Sequence, residues 1–186
     1  MRIPSKIVPI MAAFALAYLC LLQPSASASP RLVPLNEMEV DEFYMYLASN
    51  PSDIKDGYRY SKLERAEDMP PGPVTEQMPN RYCCWFGKNV LVVFYCDTSY
   101  RVMGLSVIVD SSTGDDTAQE YQVRCLANTF LGIGMTEDEV QKLLTGEWGK
   151  PRVAWCEAQK RWMCYKESYL DDEQKVASYM LFAQRS

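Results

Sequence analysis

The residues with the most chemical potential in this 186-residue chain are its cysteines, Cys83, Cys84, Cys96, Cys125, Cys156 and Cys164, with Cys20 standing apart near the N-terminus. A thiol can pair, bind a metal or attack a substrate. The spacing decides among these. No two cysteines form a CxxC pair, which weakens a redox-enzyme or zinc reading, and the chain contains no histidine at all. Without histidine, Ser-His-Asp and Cys-His machinery is impossible, and the commonest general acid–base group is missing. Adjacent carboxylates occur at Asp115-Asp116 and Asp171-Asp172, both in polar, turn-like stretches that read as solvated loops. The expectation is a protein that is not an enzyme and holds no cofactor or metal.

The N-terminus explains the cysteines better. Arg2 and Lys6 form a positive segment, Ile7–Leu22 is mostly apolar, and Ala26-Ser27-Ala28 is a small-residue cleavage site. This is the pattern of a secretory signal cut after Ala28. An uncleaved anchor is the minor alternative. Cys20 suggests lipid attachment, but Tyr18-Leu19 stand where lipoprotein signals place small residues. The expected location is secreted or periplasmic. Cleavage removes two basic residues and no acidic ones, taking the formal charge from −5 to −7. That balance disfavours nucleic acid and anionic membrane surfaces as partners. No second long apolar run follows. Six remaining cysteines in an exported chain suggest disulfides. Cys156 and Cys164 flank one expected hairpin, and Cys83 or Cys84 has Cys96 or Cys125 as a partner.

The elements that would position these groups read as follows. Residues 29–34 are a short leader. Asn36, with Glu39 three residues on, predicts a helix cap; Phe43, Tyr44 and Leu47 continue an apolar stripe until Asn50-Pro51. Residues 52–79 form a polar, proline-rich insertion with one short edge strand at Tyr58–Tyr60. Strands are expected at Arg81–Phe86, Val90–Cys96 and Val102–Asp110, a polar linker at 111–119, and a further strand at Tyr121–Phe130. Thr136 and Glu139 make a capping box, with Met135 and Val140 placed as a hydrophobic staple and Gly146 as a stop. Strands at Arg152–Cys156, Arg161–Lys166 and Lys175–Gln184 complete the chain.

The order of elements repeats. Met135-Thr136-Glu137-Asp138-Glu139-Val140 echoes Leu35-Asn36-Glu37-Met38-Glu39-Val40, and each valine precedes a proline by eleven residues. Arg81-Tyr82-Cys83-Cys84-Trp85 is set against Arg152-Val153-Ala154-Trp155-Cys156, and Phe94-Tyr95-Cys96 against Met163-Cys164-Tyr165. The expected fold is α+β: two helix-plus-strand repeats, 35–110 and 131–186, joined by 111–130 into one antiparallel sheet with helices on one face.

Gly134-Met135-Thr136, followed by Val140, Leu144 and Gly149–Pro151, then by strands, resembles the SmpA/OmlA (BamE-like) domain. It is also similar to the repeat of beta-lactamase inhibitor proteins, which carry two such units in tandem. The first resemblance implies a component of outer-membrane assembly. The second implies a secreted module that clasps an enzyme on a concave sheet. Neither supplies catalytic residues. Tandem units and a cleavable signal lie nearer the second pattern, which implies binding of a protein partner, its identity and the oligomeric state left open. The candidate contact residues are aromatics on the sheet: Trp85, Tyr95, Trp155, Trp162, Tyr165 and Tyr179. Rigid rings of this kind dominate protein-binding hot spots.

Overall fold

A computed structural model of the chain describes residues 34, 37–50, 58–66, 78–87, 90–110, 118–147, 149–171 and 174–182. Residues 1–33, where a signal is expected, Asn36, most of the proline-rich insertion and the polar linker at 111–117 lie outside them.

The fold is α+β. Among the described residues its helices are α1 (Val40–Ala48), α2 (Ala118–Gly132) and α3 (Glu137–Leu144). Its strands are β1 (Glu64–Arg65), β2 (Asn80–Phe86), β3 (Val90–Cys96), β4 (Val102–Asp110), β5 (Arg152–Cys156), β6 (Arg161–Asp171) and β7 (Gln174–Phe182). They form one sheet in the order β1-β2-β3-β4-β7-β6-β5, antiparallel throughout. Two meanders, β2-β3-β4 and β5-β6-β7, therefore meet at their last strands, and the strand order is symmetric about that junction. The joining ladder runs from Gly104 opposite Met180 to Asp110 opposite Gln174.

One face of the sheet carries the main core. Phe86, Val90, Val92, Phe94, Leu105, Val107, Val109, Met163 and Tyr165 pack with Val40, Phe43 and Leu47 of α1, Cys125, Leu126 and Phe130 of α2, and Val140 and Leu143 of α3. Phe43 meets Phe94 edge-on at 6.3 Å, and Phe130 meets Tyr165 at 5.7 Å. Every residue of β3 is buried, as its continuous apolar run requires.

Three local expectations are corrected. First, Tyr121–Phe130 is helical. Gln122, Cys125, Leu126, Thr129, Phe130 and Ile133 are all buried, a spacing of three and four residues,. Two of them are polar, and this hid the stripe in the sequence. Gln122 donates to the Val107 carbonyl at 3.0 Å, and Thr129 donates back to the Cys125 carbonyl at 2.7 Å. Second, α1 is capped by Glu39 and not Asn36. Glu39 forms a β-bridge with Arg101, and Val40 N–H donates to the Tyr100 carbonyl at 2.9 Å. The chain is thus held extended up to Glu39, whose side chain forms its own capping box with Glu42. Third, among the described residues of the insertion the strand is Glu64–Arg65, with an isolated bridge at Tyr60. Contrary to the polar reading, Tyr58, Tyr60 and Leu63 pack on the core. β6 also continues past Lys166 to Asp171.

The Leu131–Pro151 segment behaves as its signals require. Thr136 accepts from Glu139 N–H at 3.3 Å, and Glu139 accepts from Thr136 N–H at 2.7 Å. Met135 and Val140 are both buried. Gly134 adopts φ +92°, and a Cβ there would lie 2.8 Å from Ala158 Cβ. The Gly-Met-Thr triplet is thus a tight turn, a buried anchor and a cap in three consecutive residues.

Arg152, the first residue of β5, closes the other end of α3. Its guanidinium donates to the carbonyls of Leu143 at 2.6 Å, Leu144 at 3.1 Å, Gly146 at 2.8 Å and Glu147 at 3.1 Å. It satisfies carbonyls that a helix end leaves without partners, and its charge opposes the negative end of the helix dipole. The same group lies 5.4 Å from the Tyr165 ring centroid. A Cβ on Gly146 would come within 2.4 Å of Arg152 Nε, so glycine is required there by the clamp. Replacement R152M is expected to lower unfolding free energy by about 2 kcal/mol, since a charged donor is lost from the half-buried Leu143 and Leu144 carbonyls and the exposed Gly146 and Glu147 carbonyls,. T136A should cost about 1 kcal/mol. Urea denaturation of each variant, with that ordering, is the check.

Candidate functional site

Strand alternation and register decide where each predicted contact residue lies. On β5 and β6, Cys156, Met163 and Tyr165 belong to the helix-side core. Val153, Trp155 and Trp162 project from the opposite face. Register sets Trp155 directly across from Trp162, and the two indoles meet edge-to-face at 5.4 Å between centroids. Such a cross-strand aromatic pair stabilises a hairpin while leaving ring area for contact. Trp162 is 41% exposed and Val153 61% exposed, and both rank among the exposed large apolar side chains. Trp155 is half-buried and donates from Nε1 to Glu157 Oε2 at 2.7 Å. Glu157 is further held by Lys160. Lys160 first, then the Trp155 indole, keep the Glu157 carboxyl below its usual range. The indole is thereby fixed in orientation.

The other aromatics are not brought to this patch. Tyr165 is fully buried under α2. Tyr95 is buried on the face opposite the helices, its hydroxyl 3.1 Å from Ser106 Oγ. Burial pushes its ionisation up to about 12, which the Ser106 hydrogen bond and Arg81 only partly offset. Trp85 is half-buried on that same face, at the far end of the sheet. The side chain of Tyr179 lies outside the described residues; its backbone pairs with Leu105 and Tyr165. The candidate surface is therefore narrower than the sequence suggests: Val153, Trp155 and Trp162 at the β5–β6 end.

Sequence reasoning missed Arg152 and Gln159, whose amide donates to the Ile133 carbonyl at 2.7 Å. The available signal was the paired occurrence of Arg81 and Arg152 at the start of two strands. Register places Arg81 opposite Tyr95 and Arg152 opposite Tyr165. Both hairpins thus open on an Arg–Tyr cross-strand pair, but on opposite faces of the sheet, Arg81 and Tyr95 away from the helices and Arg152 and Tyr165 toward them.

The cysteines do not pair as expected. Cys83, Cys84, Cys96 and Cys156 are buried free thiols, and Cys125 is buried as well. The Glu157–Lys160 turn aligns Cys156 with Arg161 and Cys164 with Val153, so the proposed Cys156–Cys164 bridge is three residues out of register. Burial raises the ionisation of Cys84, with the neighbouring Cys125 and Cys83 adding to it, and pushes Cys96 up to about 12. Cys125 lies 3.5 Å from the Tyr60 hydroxyl. These are packing groups, poorly suited to nucleophilic attack. Among the described residues no three His, Cys, Asp or Glu side chains gather where they could hold a metal ion. No described helix is long and apolar enough to cross a membrane.

No family model, no curated protein and no solved structure matches this chain.

A pH dependence follows from Cys83, Cys84, Cys96, Cys156 and Tyr95, whose ionisation burial raises. Below about pH 9 both states hold these groups protonated; above it the unfolded chain ionises while the native chain does not. Stability is therefore present in full at neutral pH and declines between about pH 9 and 12. Urea unfolding under reducing conditions should show a loss exceeding about 1 kcal/mol between pH 8 and pH 10.5. An unchanged midpoint would contradict the burial described.

Proposed function

We propose that this protein is an exported binding module, without catalysis of its own, that engages a protein partner through the aromatic end of its sheet. The observation that carries the proposal is the Trp155–Trp162 pair beside Val153, exposed on the face turned away from the helices. Two indoles locked by cross-strand packing, one anchored through Glu157, offer a large contact area with little side-chain entropy to lose. The absence of histidine from the sequence favours binding over chemistry. Export rests on the Arg2–Ala28 signal pattern.

The second reading is a scaffold in envelope or outer-membrane assembly, as the BamE-like resemblance implies. The structural role found for Gly134-Met135-Thr136 supports that resemblance at the level of local structure.

Capture from an envelope fraction and a secreted fraction distinguishes the two. The inhibitor-like reading expects a soluble enzyme partner; the scaffold reading expects outer-membrane assembly components. In either case W162A should weaken capture by about 30-fold, the loss of about 2 kcal/mol typical of a hot-spot ring, with an unchanged circular dichroism spectrum. Undiminished capture by W162A would remove the aromatic patch from consideration.

A further inference from the structure

The two ends of the sheet are treated differently. At one end, residues 58–66 lie along the outer edge of β2. Ser61 N–H donates to the Trp85 carbonyl at 2.7 Å, Gly87 N–H to Arg59 at 2.9 Å and Ala66 N–H to Arg81 at 2.9 Å, with Trp85 N–H returning to Ser61 Oγ at 2.8 Å. At the other end β5 is the last strand, and among the described residues no strand lies beside its outer edge. Exposed edges are usually blunted by charge, proline or a bulge. Pro151 guards only the approach to β5. Arg152 is turned onto α3, and the strand's centre presents Val153, Ala154 and Trp155.

We propose that this edge pairs with the same edge of a second copy of the chain, antiparallel and about a twofold axis through Ala154. The edge is self-complementary in that register. Val153 stands opposite the partner's Trp155, apolar against apolar, on the same face as Trp162. The small Ala154 sits at the axis, opposite the partner's Ala154. The ends carry opposite charge: Lys150 and Arg152 precede the strand's centre, and Glu157 follows it. Pairing places Pro151 opposite the partner's Glu157, with Lys150 adjacent. Lys150 and Glu157 are solvent-exposed, at 67% and 64% of their side-chain surface. Each is already paired within its own copy, Lys150 with Glu147 and Glu157 with Lys160, so the rim stays charge-neutral and the apolar centre of the strand carries the pairing. The product is a continuous sheet with both Trp155–Trp162 pairs on one surface. This dimer does not depend on a foreign partner; it doubles the aromatic face on which the binding proposal rests.

Sedimentation velocity of the signal-free chain tests it. At about 200 μM, a concentration that populates even a weak dimer, the chain is expected to sediment at twice the monomer mass. V153K, which sets a charge on an exposed position of the edge, should return it to monomer with an unchanged circular dichroism spectrum. In a C164S background, A154C should yield a disulfide-linked dimer under copper–phenanthroline oxidation, because the two introduced thiols meet at the axis, whereas C164S alone, whose Cys83, Cys84, Cys96, Cys125 and Cys156 are buried, should not crosslink. A monomer at this concentration overturns the proposal. So does a dimer indifferent to V153K, or one in which A154C fails to crosslink, since either places the interface elsewhere. Failure here leaves the W162A capture result untouched, so the two ideas fall separately.

Discussion

The ladder between β4 and β7 is the constraint on which the rest of the molecule depends. It joins residues about seventy positions apart, from Gly104 opposite Met180 to Asp110 opposite Gln174. Closing so long a loop costs entropy before any contact is gained. The gain is that two three-stranded meanders become one sheet broad enough to seat the three described helices. That single junction also sends β2 and β5 to opposite flanks. It thereby determines which edge residues 58–66 can cover and which edge remains uncovered.

Charge and hydrogen bonding then fix the helices to the sheet at defined points. α3 is held at both ends by residues near in sequence: Thr136 and Glu139 at its start, Arg152 beyond its end. Its orientation relative to β5 is set by the guanidinium, which reaches four carbonyls while resting against Tyr165. α2 is held differently, by Gln122 reaching the Val107 carbonyl within an otherwise apolar contact. A buried polar group of this kind is costly if misplaced and so selects one packing arrangement. The aromatic patch inherits its rigidity from this framework, because the strands that carry Trp155 and Trp162 are those that Arg152 and Tyr165 anchor from the other side.

Much of this was legible in the residues. The strands Val90–Cys96, Val102–Asp110 and Arg152–Cys156 begin and end where their apolar runs and turn residues place them. The Thr136 cap was written in its own local sequence. The α2 helix was not legible. Its tyrosine, valine, cysteine, threonine and phenylalanine suit a strand, and its buried face includes a glutamine and a threonine satisfied only by tertiary or back-bonded partners. The Asn36 cap was overridden by the Glu39–Arg101 bridge, a contact across more than sixty residues. For the candidate site, sequence supplied the right tryptophans but also Tyr95 and Tyr165, since alternation gives two faces and does not say which one the helices take.

Sequence by itself determined the absence of histidine, the boundaries of most strands, and the α+β class. Those features are local: periodicity, capping residues and composition are complete within a few positions. The tertiary structure decided which face is covered, that five cysteines are buried, that Arg152 closes a helix, and that Val153, Trp155 and Trp162 share one exposed end of the sheet. Each of these depends on register between distant strands, where a shift of one residue exchanges the two faces.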